Sequence, residues 1–228
     1  MPRAFWQRLW AAYWRVFWER ERAEEVASVP NPPSEPIAGS ERAILIERIA
    51  FSYPFSSLLE VGCSVGQNFF TLATLFPSVQ FRGVDVDTNR IAEGNRMLEA
   101  QGIHNVSLEL GDATALTECP DASVDMVVSC AMFLYLDTAQ TKQALAEMLR
   151  IAKKKVIIME QHIADELADR EQFVVRPGRS DGYWLRNYQA ALGELDSGLN
   201  VQISKIPQPR WPAERWKELA YLIEIDLG

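Results

Sequence analysis

The chain has 228 residues, 48% of them hydrophobic and 24% charged, enough for one α/β domain with a full core plus a short extension. Its formal net charge is −8 and its pI about 4.9, which argues against a general nucleic-acid surface, because neutralising phosphates takes clustered Lys and Arg. Cys63, Cys119 and Cys130 and the two histidines, His104 and His162, have no metal-ligand spacing, so no metal site is expected, and the odd thiol count suits a reducing, cytoplasmic compartment.

No stretch approaches the roughly 20 apolar residues of a spanning helix, and the first residues lack the pattern of a cleaved leader. Residues 1–27 instead carry Trp6, Trp10, Trp14 and Trp18 one helical turn apart. On a helix, Phe5, Trp6, Leu9, Trp10, Tyr13, Val16 and Phe17 share one broad face, opposite Arg8, Arg15 and Glu19. Three roles stand for this amphipathic helix: folding back onto the domain, self-association or partner binding, and peripheral contact with a membrane. Glu19, Glu21, Glu24 and Glu25 oppose an anionic lipid surface. Residues 28–39, with Pro30, Pro32, Pro33 and Pro36, form a linker, since proline removes donors and imposes extended geometry.

From residue 40 to 228 helical and strand periods alternate. Ser40 is the expected cap of a helix over Glu41–Ile49. Ser57–Gly62 reads as a strand, Gln67–Phe76 as a helix stopped by Pro77, and Val79–Val84 as a strand closed by Asp85. Asn89–Gln101 reads as a helix ended by Gly102, Val106–Leu110 and Val124–Ser129 as strands, Thr138–Ile151 as a helix, and Lys155–Met159 as a fifth strand. Leu185–Leu192 looks helical, and Asn200–Ile206 and Tyr221–Ile225 read as a final antiparallel pair at one edge. This order predicts a mostly parallel sheet with helices on both faces.

Three strand ends carry chemistry. In Leu58-Leu-Glu-Val-Gly-Cys-Ser-Val-Gly-Gln-Asn68 a buried strand enters a glycine-bearing turn and then a helix, whose free N–H groups suit an anionic group. In Phe81-Arg-Gly-Val-Asp-Val-Asp87, Asp85 lies about 20 residues beyond that turn, where nucleotide-binding α/β folds place an acid on ribose hydroxyls. Asp87 or Thr88 would cap the next helix, leaving Asp85 for that task. In Leu110-Gly-Asp-Ala113, Asp112 can accept from an adenine amino group.

The order and spacing of these motifs resemble class I S-adenosylmethionine-dependent methyltransferases over about Ala43–Glu160. The family pattern acid-x-Gly-x-Gly-x-Gly stands here as Glu60-Val-Gly62-Cys63-Ser64-Val-Gly66, with Ser64 at the middle glycine. The resemblance implies a Rossmann-like, doubly wound, seven-stranded sheet with one antiparallel edge strand. It implies S-adenosylmethionine as cofactor, with Glu60, Gly62, Cys63, Ser64, Gly66 and Asn68 around its methionine part. Asp85 and Val86 would meet the ribose and adenine, and Asp112 and Ala113 the adenine edge. Ser129 and the following Cys130-Ala-Met-Phe-Leu-Tyr-Leu136 resemble the segment that passes beneath the transferable methyl group.

The implied acceptor is a small molecule, sugar or lipid-linked glycan. Tyr135, Arg179, Tyr183, Trp184 and Arg186 are the expected acceptor contacts, the arginines for an anionic group and the aromatics for a ring. His162, just past the fifth strand, is the candidate general base, with Glu160 and Tyr135 behind it. Two other readings stand beside this one: a non-catalytic protein of the same fold that binds a partner or membrane through residues 1–27, and an NAD-dependent oxidoreductase. The latter wants Gly-x-Gly-x-x-Gly, which this turn lacks.

Overall fold

The computed structural model describes residues 41–164, 171–175, 182–207, 216 and 218–228. The aromatic segment 1–27, the linker 28–39, Ser40 and Arg179 lie outside the described residues.

In chain order the elements are α1 (Glu41–Phe51), β1 (Ser57–Val61), α2 (Gln67–Leu75), β2 (Gln80–Asp85), α3 (Thr88–Ala100), β3 (Val106–Leu110) and β4 (Val124–Cys130). A single 3-10 turn (Phe133–Tyr135) follows, then α4 (Thr138–Ile151), β5 (Ala152–Gln161), β6 (Glu171–Val175), β7 (Gly182–Arg186), α5 (Tyr188–Leu195), β8 (Asn200–Lys205) and β9 (Ala220–Asp226). Local chemistry starts the helices where they start. Asp87 accepts the Asn89 and Arg90 N–H groups at the head of α3, and Asp137 forms a reciprocal capping box with Gln140 at the head of α4.

Seven strands form one sheet in the order β3-β2-β1-β4-β5-β9-β8. The pairs β1–β2, β2–β3, β1–β4 and β4–β5 are parallel, and the antiparallel strand β9 joins β5 to β8 at the far edge. Alternate residues serve opposite faces, as a pleated strand requires. Leu58, Met126, Val128, Ile157 and Met159 pack under α1, α2 and α3 through Leu45, Ile49, Phe69, Leu72 and Leu98. Leu59, Val61, Val127, Val156 and Ile158 pack on the other face with Ala144, Leu145, Met148, Ile151 and Leu192 of α4 and α5. Both faces being covered, β4 is buried along nearly its whole length.

Strand order reverses between β1 and β4. The chain runs outward from β1 to β2 and β3, then returns to the other side of β1, so the connections after β1 and β4 leave in opposite directions. That divergence opens a crevice at the carboxyl ends of these two strands.

The region after β5 differs from the sequence expectation. Leu185 and Arg186 belong to β7, which pairs antiparallel with β6 as a separate hairpin, and helix α5 begins only at Tyr188. The physical reason is Asn187, whose side chain accepts the Ala190 N–H and caps α5 there. The run Glu171-Gln-Phe-Val-Val175 carries the β-branched and aromatic composition of a strand but finds its partner only through tertiary pairing. Strand β5 also extends beyond Lys155–Met159, because β9 pairs with it as far as Gln161.

Candidate functional site

The turn after β1 builds the floor of the crevice. Gly62 and Gly66 have φ of 77° and 71°, and Ser64 has φ of 53°. Ser64 therefore keeps the left-handed backbone that the family pattern assigns to glycine, at a cost of about 1–2 kcal/mol. A Cβ on Gly62 would lie 2.6 Å from Met132 Cγ, so the β4 connection packs directly on the bare backbone. The Gly62 and Cys63 N–H groups both donate to the Val84 carbonyl, at 2.8 and 3.0 Å, which ties the turn to β2.

The crevice is lined by Arg42, Glu60, Gly62, Cys63, Ser64, Gln67, Asn68, Cys130, Ala131 and Trp216. Of the expected cofactor residues it brings together Glu60, Gly62, Cys63, Ser64 and Asn68, while Gly66 begins α2 behind them. Glu60 and Asn68 are both buried, and Asn68 Nδ2 donates to Glu60 Oε1 at 2.6 Å. Their other oxygens, Glu60 Oε2 and Asn68 Oδ1, are buried acceptors with no hydrogen-bond partner among the described residues. Burial pushes the Glu60 carboxyl up to about 7, against the Asn68 hydrogen bond and the Arg42 charge, which pull it down. Burial likewise pushes the Cys63 thiol far up, so this cysteine is no thiolate nucleophile at neutral pH.

Asp85 stands at the β2 tip, outside the set that lines the crevice but joined to it. Its Oδ2 accepts the Ser64 N–H at 2.8 Å and its Oδ1 accepts the Asp87 N–H at 2.9 Å. Each oxygen keeps a second lone pair. Gly111 N–H donates to the Asp85 carbonyl at 3.0 Å, so the β2 and β3 tips lie side by side. Exposed Asp112 accepts the Thr114 N–H and hydroxyl through one oxygen, which holds its carboxyl below the usual range, and Ala113 is buried beside it. Val86 and Leu110 expose 68% and 63% of their surface at these two tips, an apolar pair beside two carboxylates. Ser129 is fully buried at the end of β4, its hydroxyl without a partner among the described residues.

Two expected site residues lie buried and outside the crevice lining. His162, the candidate base, is buried outside the crevice. Its Nδ1 accepts the Tyr188 N–H at 3.1 Å at the head of α5, its ring meets Tyr221 edge-on at 4.9 Å, and burial pushes it down to about 4. The nitrogen that would take a proton is engaged in capping a helix. Arg186, expected to hold an anionic acceptor, is also buried. It donates to the carbonyls of Phe133 (2.9 Å) and Leu136 and to Glu171 (3.3 Å), which leaves its charge committed within the protein. Of the remaining acceptor contacts, Tyr135 is 65% exposed on the 3-10 turn, while Tyr183 and Trp184 are half-buried on β7. Glu160 is buried too, its carboxyl raised to about 8 by burial.

Three lining residues went unread in the sequence, one of them Gln67 at the head of α2. Arg42 arrives on α1, and Trp216, buried, arrives from between β8 and β9. An isolated tryptophan amid the charged residues 214–218 was the available signal for Trp216; a helical arginine gives none.

The family described as methyltransferase domain matches residues 58–155. An uncharacterised protein of Haemophilus influenzae is 31% identical over 103 residues, which are 45% of this chain and 40% of that protein, so the chain spans well under half of that relative. Among solved structures, the glycopeptide N-methyltransferase MtfA in complex with S-adenosylmethionine superposes with a TM-score of 0.63 at 14% identity, over 83% of this chain and 88% of that one. The [4+2]-cyclase SpnF superposes with a TM-score of 0.64 at 18% identity, over 87% and 84%. At such identities the likeness is one of fold.

Proposed function

We propose that this chain, whose residues 58–155 match a methyltransferase-domain family, is an S-adenosylmethionine-dependent methyltransferase that transfers a methyl group to a small-molecule acceptor presented at the mouth of the β1/β4 crevice. The observation that carries this reading is the pair of buried acceptors without a partner among the described residues, Glu60 Oε2 and Asn68 Oδ1, in a crevice that Arg42 and the left-handed glycyl turn also line. A cation and an acid in one small cleft complement a zwitterionic amino-acid group, which is what the methionine end of S-adenosylmethionine presents. The residues present therefore fit the cofactor.

When bound, S-adenosylmethionine supplies an electrophilic methyl group on a sulfonium. Glu60 and Asn68 would accept from its ammonium, and Arg42 would offer its guanidinium to its carboxylate. Asp85 would offer its remaining lone pairs to ribose hydroxyls, and Val86 and Leu110 would give an apolar bed for adenine beside Asp112. The Cys130–Leu136 segment closes the crevice on the β4 side. Holding both reactants aligned is the main contribution asked of the chain, worth about 7–11 kcal/mol in favourable cases. With Arg186 committed elsewhere, Tyr135, Tyr183 and Trp184 recommend an acceptor with a ring or apolar body over a purely anionic one.

The test is thermal unfolding of the full chain with S-adenosylmethionine, S-adenosylhomocysteine or NAD. S-adenosylhomocysteine at a hundred times its Kd is expected to add about 2.7 kcal/mol, and Gly62→Val to abolish the shift. Stabilisation by NAD alone overturns the reading. Radiolabelled methyl transfer to a panel of ring-bearing and glycosidic small molecules then identifies the acceptor; cofactor binding with no transfer to any of them favours a non-catalytic role.

A further inference from the structure

The buried arginine removed from the acceptor site has a different task. The segment after β4 is held at three places. Ala131, left-handed at φ 55°, donates its N–H to the Met159 carbonyl at 3.0 Å. Met132 rests on the bare backbone of Gly62. Beyond them, Arg186 grips the carbonyls of Phe133 and Leu136, the two ends of the 3-10 turn. Buried Glu160 lies near the same turn, its Oε1 accepting the Gln161 N–H at 3.2 Å; burial raises its carboxyl, and the nearby amides of Leu134 and Phe133 and the Arg186 charge lower it only in part. The two terminal carbonyls of the turn are thus held by one buried cation.

Arg186 belongs to β7, within a two-stranded hairpin apart from the seven-stranded sheet order but joined to the end of β5, where the Arg186 carbonyl accepts the Ile163 N–H at 2.9 Å. Its Nε pairs with Glu171 on β6, and the other Glu171 oxygen accepts the Thr138 hydroxyl at the head of α4. Its guanidinium also lies 5.3 Å over the Trp184 ring. One side chain therefore links the hairpin, the head of α4 and the stretch whose first residues, Cys130 and Ala131, line the crevice.

We propose that Arg186 is a positioning residue that holds Cys130–Leu136 against the glycyl turn and so couples occupancy of the crevice to the order of the β6–β7 hairpin. The proposal rests on the reading of the crevice as a cofactor site. Because coupling is reciprocal, whatever tightens the segment from the crevice also quiets the hairpin, and loosening the hairpin weakens the crevice ligand. The guanidinium fork suits this role because it reaches two carbonyls at once, which a lysine ammonium on a flexible stem cannot do in fixed geometry.

The experiment is calorimetric titration of S-adenosylhomocysteine into the full chain, with amide hydrogen exchange followed with and without ligand. Wild type, Arg186→Lys and Glu171→Gln are compared. Arg186→Lys keeps the charge and removes the fork; it is expected to bind about tenfold more weakly while folded. In wild type the ligand is expected to slow exchange in residues 171–175 and 182–186, and in Arg186→Lys to leave them unprotected. A purely structural arginine would lower the melting temperature and leave Kd within about twofold, and that result overturns the proposal. Glu171→Gln leaves the carbonyl contacts and loosens the links from Arg186 to β6 and from β6 to the head of α4, so it decides the matter even if Arg186→Lys does not fold. Undiminished ligand protection of the hairpin in that variant, or no protection in wild type, also overturns it. Failure of wild type to bind S-adenosylhomocysteine at all sinks the cofactor reading instead, so the two failures are distinguishable.

Discussion

Glu60 sits where burial and function pull in opposite directions. Desolvation holds its carboxyl near 7, so around neutrality the empty crevice carries a proton that a bound ammonium would displace. Binding of S-adenosylhomocysteine should therefore release a proton below about pH 7, and affinity should rise with pH by up to about tenfold per unit, then level off once Glu60 is ionised. Glu60→Gln keeps an acceptor for Asn68 Nδ2 and removes the titration. Titration calorimetry across this range should find the variant weaker at high pH and its affinity flat. A slope unchanged in Glu60→Gln would assign the proton to another group. At this scale the sequence was partly legible. Glu60, Gly62 and Asp85 could be named because each motif is local and its backbone demands are printed in residue type. The roles of His162 and Arg186 could not, because a buried histidine capping a helix and an exposed histidine awaiting a substrate look alike until burial is known.

Packing between elements gives glycine a second kind of importance. Gly94 lies in the middle of α3, where glycine lowers helix stability by about 1 kcal/mol relative to alanine. A Cβ there would fall 2.5 Å from Leu108 Cδ1 and 2.6 Å from the Val65 carbonyl oxygen. The helix thus lies directly against the glycyl turn, and a backbone oxygen cannot step aside as a side chain can. Gly94→Ala should lose more to overpacking, about 1–3 kcal/mol, than it gains in propensity. Chemical denaturation should show a net loss, and S-adenosylhomocysteine binding should weaken as the turn is displaced. A variant more stable than wild type would mean that α3 can slide. The same scale explains which elements could be read ahead of the structure. Helix α4 shows its period and cap within its own residues, through Asp137, Gln140, Thr141, Ala144, Leu145 and Met148. Strand β7 does not, because Leu185-Arg186 passes for the first turn of a helix until Glu171–Val175 pairs with it.

For the molecule as a whole, the buried acids set the pH dependence of stability. Glu60 and Glu160 have raised folded values, about 7 and about 8, so each contributes stability at low pH that is lost as pH rises through those values. His162, lowered to about 4, contributes in the opposite sense: its share is present above the ordinary histidine range and is lost as pH falls toward 4. Between about pH 6.5 and about pH 8 the two acids prevail, and the melting temperature of the ligand-free chain should fall across that interval. Differential scanning fluorimetry of a Glu60→Gln/Glu160→Gln variant should find the decline removed. By itself the sequence determined the alternation of helix and strand, the mostly parallel sheet and the glycyl turn with its acids. These depend on periodicity, on caps and on backbone conformations that few residue types adopt. Only the tertiary structure decided that Arg42 and Trp216 reach the crevice, that Glu171–Val175 is a strand, and that Arg186 faces inward. Those outcomes depend on which distant segments meet, and on whether a charged side chain ends in solvent or among carbonyls, neither of which is encoded in any single stretch of chain.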